Sequence, residues 1–148
     1  MASESLHLSI VIDRPAQLVY EYAVDPRHLP HWAKGLASTT VEHVDGQWMA
    51  DSPMGRIAVT FAEPNDFGVL DHVVTLPSGR RVYNPLRVIA DGGASEVVFT
   101  LRRLPGMTDD QFADDADAVR ADLANLKRVL ELSRTPDTTA DDGPGSAP

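Results

Sequence analysis

The chain has 148 residues, 43% of them hydrophobic and 24% charged, as in an ordinary globular domain with room for one sizeable core. Cysteine is absent, which excludes disulfides, thiolate nucleophiles and cysteine metal sites. Thirteen Lys and Arg stand against 22 Asp and Glu; the resulting net charge of −9 repels phosphate backbones, so no nucleic-acid partner is expected.

The opening MASESLHLSIVID lacks the basic and apolar regions of a secretory signal. No apolar stretch approaches the ~20 residues that span a bilayer. The expectation is a cytoplasmic protein that does not insert into membranes. Leu6 to Ile12 reads as a strand, ended by Asp13-Arg14-Pro15. Pro15 suits the first turn of a short helix through about Val24, which Asp25-Pro26 stops. A second short helix, Arg27 to Lys34, ends at Gly35. Strand-like runs then alternate with five turn signals, at 45–46, 52–55, 63–66, 77–79 and 91–94, which predicts a six-stranded meander. Phe112, Ala116, Val119, Leu123, Leu126 and Leu130 recur at helical spacing, and Thr108 to Gln111 reads as a capping box. A helix over about 108–133 would run roughly 39 Å. The end of the chain, 134–148, is rich in Pro, Gly, Asp and Thr and is expected to be a disordered acidic tail behind a domain of residues 1–133.

The turns also predict a register. Two-residue pairing about 45–46 sets His43 against Trp48 and Val41 against Ala50; the next turn sets Ile57 against Ala50 and Val59 against Trp48. A four-residue loop at 63–66 would set Val59 against Leu70 and Ile57 against His72. The remaining turns set His72 against Asn84, Asn84 against Leu101, Leu86 against Phe99 and Val88 against Val97. Side chains alternate along a strand, so all of these share one face, with Phe61 and Val74. That face is apolar except for His43, His72 and Asn84. A four-residue loop at 77–80 would instead turn Tyr83 and Arg87 inward, and Pro85 signals a bulge or an edge.

Strand, two short helices, six-stranded meander and long helix is the order of the START-related helix-grip (SRPBCC) superfamily. The segment IDRPAQLVYEYAVDPRHLPHWAKGL (Ile12 to Leu36) resembles that family's strand, amphipathic helix, Asp-Pro and Trp. FGVLDHVVTLPSGRRVYNPLRVI and SEVVFTLRRLPGMTDDQF are similar to members of the polyketide cyclase/dehydrase-like type. The resemblance covers roughly residues 5 to 133. It implies an α+β fold, a seven-stranded curved antiparallel sheet wrapped around the C-terminal helix. It also implies a cavity between sheet and helix for a lipid, polyketide or other apolar molecule.

Three functions remain open on the sequence. The chain binds a small apolar molecule between the sheet (His43, Trp48, Val59, Phe61, Leu70, His72, Asn84, Leu86, Phe99) and the helix (Phe112, Val119, Leu123). Alternatively it is a cofactor-independent cyclase or dehydratase, with His72 as general acid/base and Asn84 holding an enolate oxygen. Or it is a ligand-free interaction domain in which His72 and Asn84 only satisfy each other in a filled core. His28 and His31, three residues apart, have no third ligand at hand, so neither a metal nor a cofactor is expected. Trp32 is placed at the cavity entrance or, with Tyr20 and Tyr22, in the core. Asp71 and Arg87 are expected on the solvated outer face, and Asp114, Asp115, Asp117 and Asp122 on the wet face of the helix. That outer sheet face also carries Phe67, Val69, Val73, Tyr83, Ile89 and Val98, from which a homodimer is expected.

Overall fold

A computed structural model describes residues 3–132. The tail expected over 134–148 therefore lies outside the described residues. Eight strands replace the seven expected: β1 (Ser5–Ile12), β2 (Val41–Val44), β3 (Gln47–Ser52), β4 (Gly55–Phe61), β5 (His72–Thr75), β6 (Arg81–Asn84), β7 (Leu86–Asp91) and β8 (Ala94–Arg102). Helices α1 (Ala16–Ala23) and α2 (Leu29–Trp32), joined through a 3-10 turn over Pro26–His28, follow β1, and α3 (Asp109–Leu132) ends the described chain. The strands form two antiparallel sheets, ordered β1-β8-β7 and β2-β3-β4-β5-β6.

The division into two sheets falls at Pro85. Proline has no N–H to give to a ladder, so the long strand expected there stops at Asn84 and restarts at Leu86 in the other sheet. Asn84 consequently does not pair with Leu101; the Pro85 carbonyl accepts instead from Thr100 N–H at 3.0 Å. The other pairings of β7 follow expectation, with Leu86 opposite Phe99 and Val88 opposite Val97. So do those of β2, β3 and β4, with His43 opposite Trp48 and Ala50 opposite Ile57. Asp45 and Gly46 supply the positive φ angles, 50° and 80°, that a tight two-residue hairpin requires.

One register is displaced. Val59 lies opposite Val74 and Phe61 opposite His72, four residues from the pairing a short loop at 63–66 would impose. The shift is even, so the inward face is preserved. Its cause is a longer excursion, 62–71, organised by Asn65. The Asn65 side-chain oxygen accepts from Phe67 and Val69 N–H at 3.0 and 3.1 Å, and its amide donates to the Glu63 and Val69 carbonyls. The excursion crosses to the first sheet, where Val88 N–H donates to the Gly68 carbonyl and Leu70 N–H to the Leu86 carbonyl, both at 2.8 Å. Gly68 permits this approach: its φ is +72°, and an added Cβ would lie 2.1 Å from the Val88 carbonyl oxygen.

Asp71 closes the same junction, and its expected exposure is corrected. Its side chain is 8% exposed. One carboxylate oxygen accepts from Leu86 N–H and Arg87 Nε, both at 2.9 Å, and the other from Arg87 NH2 at 2.9 Å and from the Tyr83 hydroxyl. Arg87 does project outward, half-exposed, and lies flat against this buried carboxylate.

The expected caps of α3 are present. Gln111 N–H donates to Thr108 Oγ1 at 3.1 Å and Thr108 N–H donates to Gln111 Oε1 at 2.9 Å, a reciprocal box. At the other end Arg14, buried, donates to the Leu130 and Glu131 carbonyls at 3.1 and 3.0 Å. Lys127 Nζ reaches the Val11 carbonyl at 2.7 Å, and Asp13 N–H donates to Glu131 at 2.8 Å. These bonds draw α3 onto β1. Its close approaches are to β1, α2 and β8, and it stands off from β5 and β6.

Two substitutions test this account. Gly68→Ala should lower stability by at least about 2 kcal/mol in urea denaturation, because both the positive φ and the clash oppose it. Asp71→Asn should cost about 2–3 kcal/mol near neutral pH by the same measurement, since it removes the charge that holds Leu86 N–H, the Arg87 guanidinium and the Tyr83 hydroxyl at a buried site. The Arg87 guanidinium, with Tyr83 and Leu86 N–H, holds the Asp71 carboxyl well below the usual carboxylate range. The contribution is therefore present above about pH 4 and lost as the pH falls through the lowered value.

Candidate functional site

Where α3 stands off from the second sheet there is a cavity of about 200 Å³. Its sheet wall consists of His72, Val74 and Val82 with Asn84, Phe99 and Leu101, and its helix wall of Asp115, Ala118, Val119, Asp122 and Leu123. Trp32, Ala33, Gly35 and Leu36 form one side, and Met54, Leu76, Arg102 and Leu104 complete the lining. The lining is mainly apolar, with a few polar groups, as in small-molecule sites generally.

Of the twelve residues proposed from sequence to contact a ligand, His72, Asn84, Phe99, Val119 and Leu123 line this cavity. Val59, Leu70, Leu86 and Phe112 are buried in the core outside the lining. His43 and Trp48 pack on each other with ring centroids 4.7 Å apart, out on β2 and β3. Phe61 stands behind His72, its ring 5.3 Å from the imidazole. The shifted β4–β5 register and the offset of α3 away from β5 and β6 account for the redistribution. Asn84 points inward and Tyr83, 54% exposed, outward, which fits the three-residue loop at 77–79.

His72 is the buried polar centre of the sheet wall. Its Nδ1 lies 3.1 Å from the Leu70 carbonyl, which only accepts, so Nδ1 carries the proton. Nε2 is thereby left with a lone pair, 3.5 Å from the Asn84 amide nitrogen. Burial lowers the His72 pKa below its ordinary value, against the weaker opposing pull of the Leu70 carbonyl and Asp71. The imidazole is neutral at physiological pH, with its basic nitrogen turned to Asn84, another residue of the lining.

The helix wall holds one residue that the sequence analysis misplaced. Asp115 and Asp122 were both expected on the wet face; Asp115 is exposed there while also bordering the cavity, whereas Asp122 is half-buried in its lining. They are seven residues apart and flank Val119, so the helical spacing that found Val119 and Leu123 also carried this signal. Asp122 accepts from Gly35 N–H at 3.3 Å, and burial raises its carboxyl to about 6. Desolvation, with some repulsion from Asp114, also raises Asp115. Trp32 is 4% exposed, and its indole N–H is buried without an acceptor among the described residues.

Elsewhere, His28 stacks on Tyr22 with centroids 4.1 Å apart and its Nδ1 lies 2.8 Å from the Tyr22 carbonyl. His31 shares a surface cleft with His28, Lys34 and Arg128. Among the described residues, no three His, Asp or Glu side chains gather as a metal site would require. No helix there is long and apolar enough to cross a membrane.

Residues 3–131 match the family described as "Polyketide cyclase / dehydrase and lipid transport". The chain belongs to this family. Its architecture is a helix-grip fold, with eight strands in two sheets. Solved structures agree at the level of fold. The protein XoxI from Bacillus cereus is similar over 90% of this chain and 99% of its own, with a TM-score of 0.67 and 15% identity. A START superfamily protein from Mycobacterium smegmatis is similar over 85% and 98%, with a TM-score of 0.60 and 11% identity. BexL, a di-domain ARO/CYC protein from the BE-7585A biosynthetic pathway, is similar over 90% of this chain and 48% of its own, with a TM-score of 0.65 and 18% identity. No curated protein sequence matches the chain.

The Asp122 environment has a measurable consequence. A carboxyl raised from 3.8 to about 6 binds its proton more tightly in the folded state. Its contribution is therefore greatest at low pH and is lost as the pH rises from about 4 through 6. Asp122→Asn should remove this slope and leave the variant more stable at pH 7 by on the order of 1–2 kcal/mol, measured as denaturant midpoints from pH 4 to 7.5.

Proposed function

We propose that this family member binds a small apolar molecule, of lipid, polyketide or aromatic type, in the cavity between α3 and the sheet. The observation that carries this reading is the cavity itself, about 200 Å³ and walled chiefly by Val, Leu, Phe and Trp side chains. Apolar walls around a space of that size lack the dispersion contacts that a core filled by its own side chains would make. A ligand restores them. Asn84 and Nε2 of His72, 3.5 Å apart in the lining, supply a polar contact that orients it.

A second reading is favoured by the His72 tautomer. A neutral imidazole whose Nε2 is met only by the Asn84 amide at 3.5 Å can, once a ligand draws that amide away, take a proton from carbon next to a carbonyl while the amide holds the enolate oxygen. That is the demand of aldol cyclisation or dehydration, and it needs no cofactor. Under this reading the protein is a cyclase or dehydratase acting on the molecule that the cavity holds.

Native mass spectrometry of gently purified protein, against the denatured mass, should reveal a bound small molecule or uptake of one from fatty acids and aromatic polyketides. Val119→Trp, which fills the helix wall, should reduce that uptake at least tenfold; uptake unaffected by this variant would place the ligand elsewhere. His72→Ala should weaken binding by only about two- to tenfold if the protein is a carrier, and should abolish turnover if it is an enzyme. No change in either would reduce His72 to a core residue.

A further inference from the structure

The first sheet keeps one face open. α1 packs on β7 and β8, and α3 on β1. The residues that alternate with the buried ones of these strands point the other way, and the register sets them in two rows. Val11, Glu96 and Ile89 lie side by side across β1, β8 and β7. Ser9, Val98 and Arg87 form the next row, and Val69 of the 62–71 excursion extends it. Val11 is 55% exposed and Ile89 49%; Phe67, two residues before Val69, is 83% exposed although Asn65 holds its N–H at 3.0 Å. Apolar side chains gathered in this way on one face mark an interaction surface.

The charges on the face say what fits it. At its centre four residues form a quartet, with Glu96 and Arg87 on one diagonal and Ile89 and Val98 on the other. The Glu96 carboxylate has no hydrogen bond or ion pair among the described residues. Arg87 grips Asp71 through Nε and Nη2, which leaves Nη1 out of that clamp. A two-fold axis lying in the interface along the Ile89–Val98 diagonal lays Glu96 of each copy over Arg87 of the other. The same rotation sets Ile89 on Ile89 and Val98 on Val98. The quartet is thus complementary to itself, as an isologous contact requires. It is also neutral, on a chain whose net charge of −9 opposes approach elsewhere.

We propose that the outer face of the β1-β8-β7 sheet is a homodimer interface, two copies packing sheet to sheet about this diagonal. The cavity lies on the inner side, lined there by Phe99 and Leu101, so the proposal is independent of what the cavity holds.

Sedimentation velocity of the full-length chain from about 1 to 100 µM should show a monomer–dimer equilibrium. Ile89→Asp, which sets two carboxylates against each other on the axis, should leave only monomer. Glu96→Lys should raise the dimer Kd at least about tenfold, because each ammonium then faces an arginine. Circular dichroism checks that both variants are folded. A cross-link locates the contact without disrupting it. Ile89→Cys gives the chain its one thiol, and a short bismaleimide should join two copies through it at least about tenfold faster than through Val44→Cys, exposed on β2 away from this face. A chain that stays monomeric throughout the range overturns the proposal and leaves the face to a different partner. A dimer that survives both charge variants, or links equally well through either thiol, places the interface elsewhere and overturns it too.

Discussion

The carboxylate of Asp71 holds the two sheets of this protein in one frame. Pro85 interrupts the strand that would otherwise run from β6 into β7, and at such a break the second sheet is free to swing away from the first. Asp71 spans the gap by gripping Leu86 N–H, the Arg87 guanidinium and the Tyr83 hydroxyl at once. The grip is strong because it is nearly dry on the Asp71 side and because every donor to it is aligned by backbone already in a strand. His72 follows directly in sequence, so the interaction that fixes the sheet junction also sets the angle at which His72 enters the cavity. Gly68 and Asn65 complete the junction by bringing the preceding loop within hydrogen-bonding distance of β7.

The position of α3 creates the space that the junction frames. The helix is tied at its N-terminal end by the Thr108–Gln111 box and by Arg103, which pairs with Asp109 at 2.7 Å. Its C-terminal end is tied by Arg14 and Lys127. Both sets of ties lead to β1, the adjoining end of β8 and the turn before α1. None leads to β5 or β6. An amphipathic helix pulled to one side of a curved sheet leaves the other side unfilled, and the apolar residues there face a cavity in place of the helix.

Electrostatics within that cavity are biased toward neutrality. Burial lowers His72 and raises Asp122, so each side chain is driven toward its uncharged form from opposite starting points. At neutral pH the result is asymmetric: an uncharged base on the sheet wall and an ionised carboxylate on the helix wall. Such a cavity distinguishes the two ends of a ligand, with proton-accepting chemistry available at both.

The sequence by itself determined the order of elements, the caps of α3 and the inward face of the sheet. These depend on neighbours within a few residues: hairpin turns, alternation along a strand, and helical spacing. Even the displaced β4–β5 register kept its parity and so left His72 on the inner face, where the 77–79 turn pairs it with Asn84 as expected. The tertiary structure alone decided which inward residues line a cavity and which fill a core. Val59, Leu70, Leu86 and Phe112 satisfy the same periodicity as Val74, Val82 and Val119, and only the offset of α3 separates the two sets. The same holds for charge. Asp71 and Asp122 read as solvated acids by composition and face, but a strand break buries one, and a turn folded back onto the helix shields the other. Periodicity records which side of an element is wet on average; burial of a single carboxylate depends on a contact from a distant part of the chain.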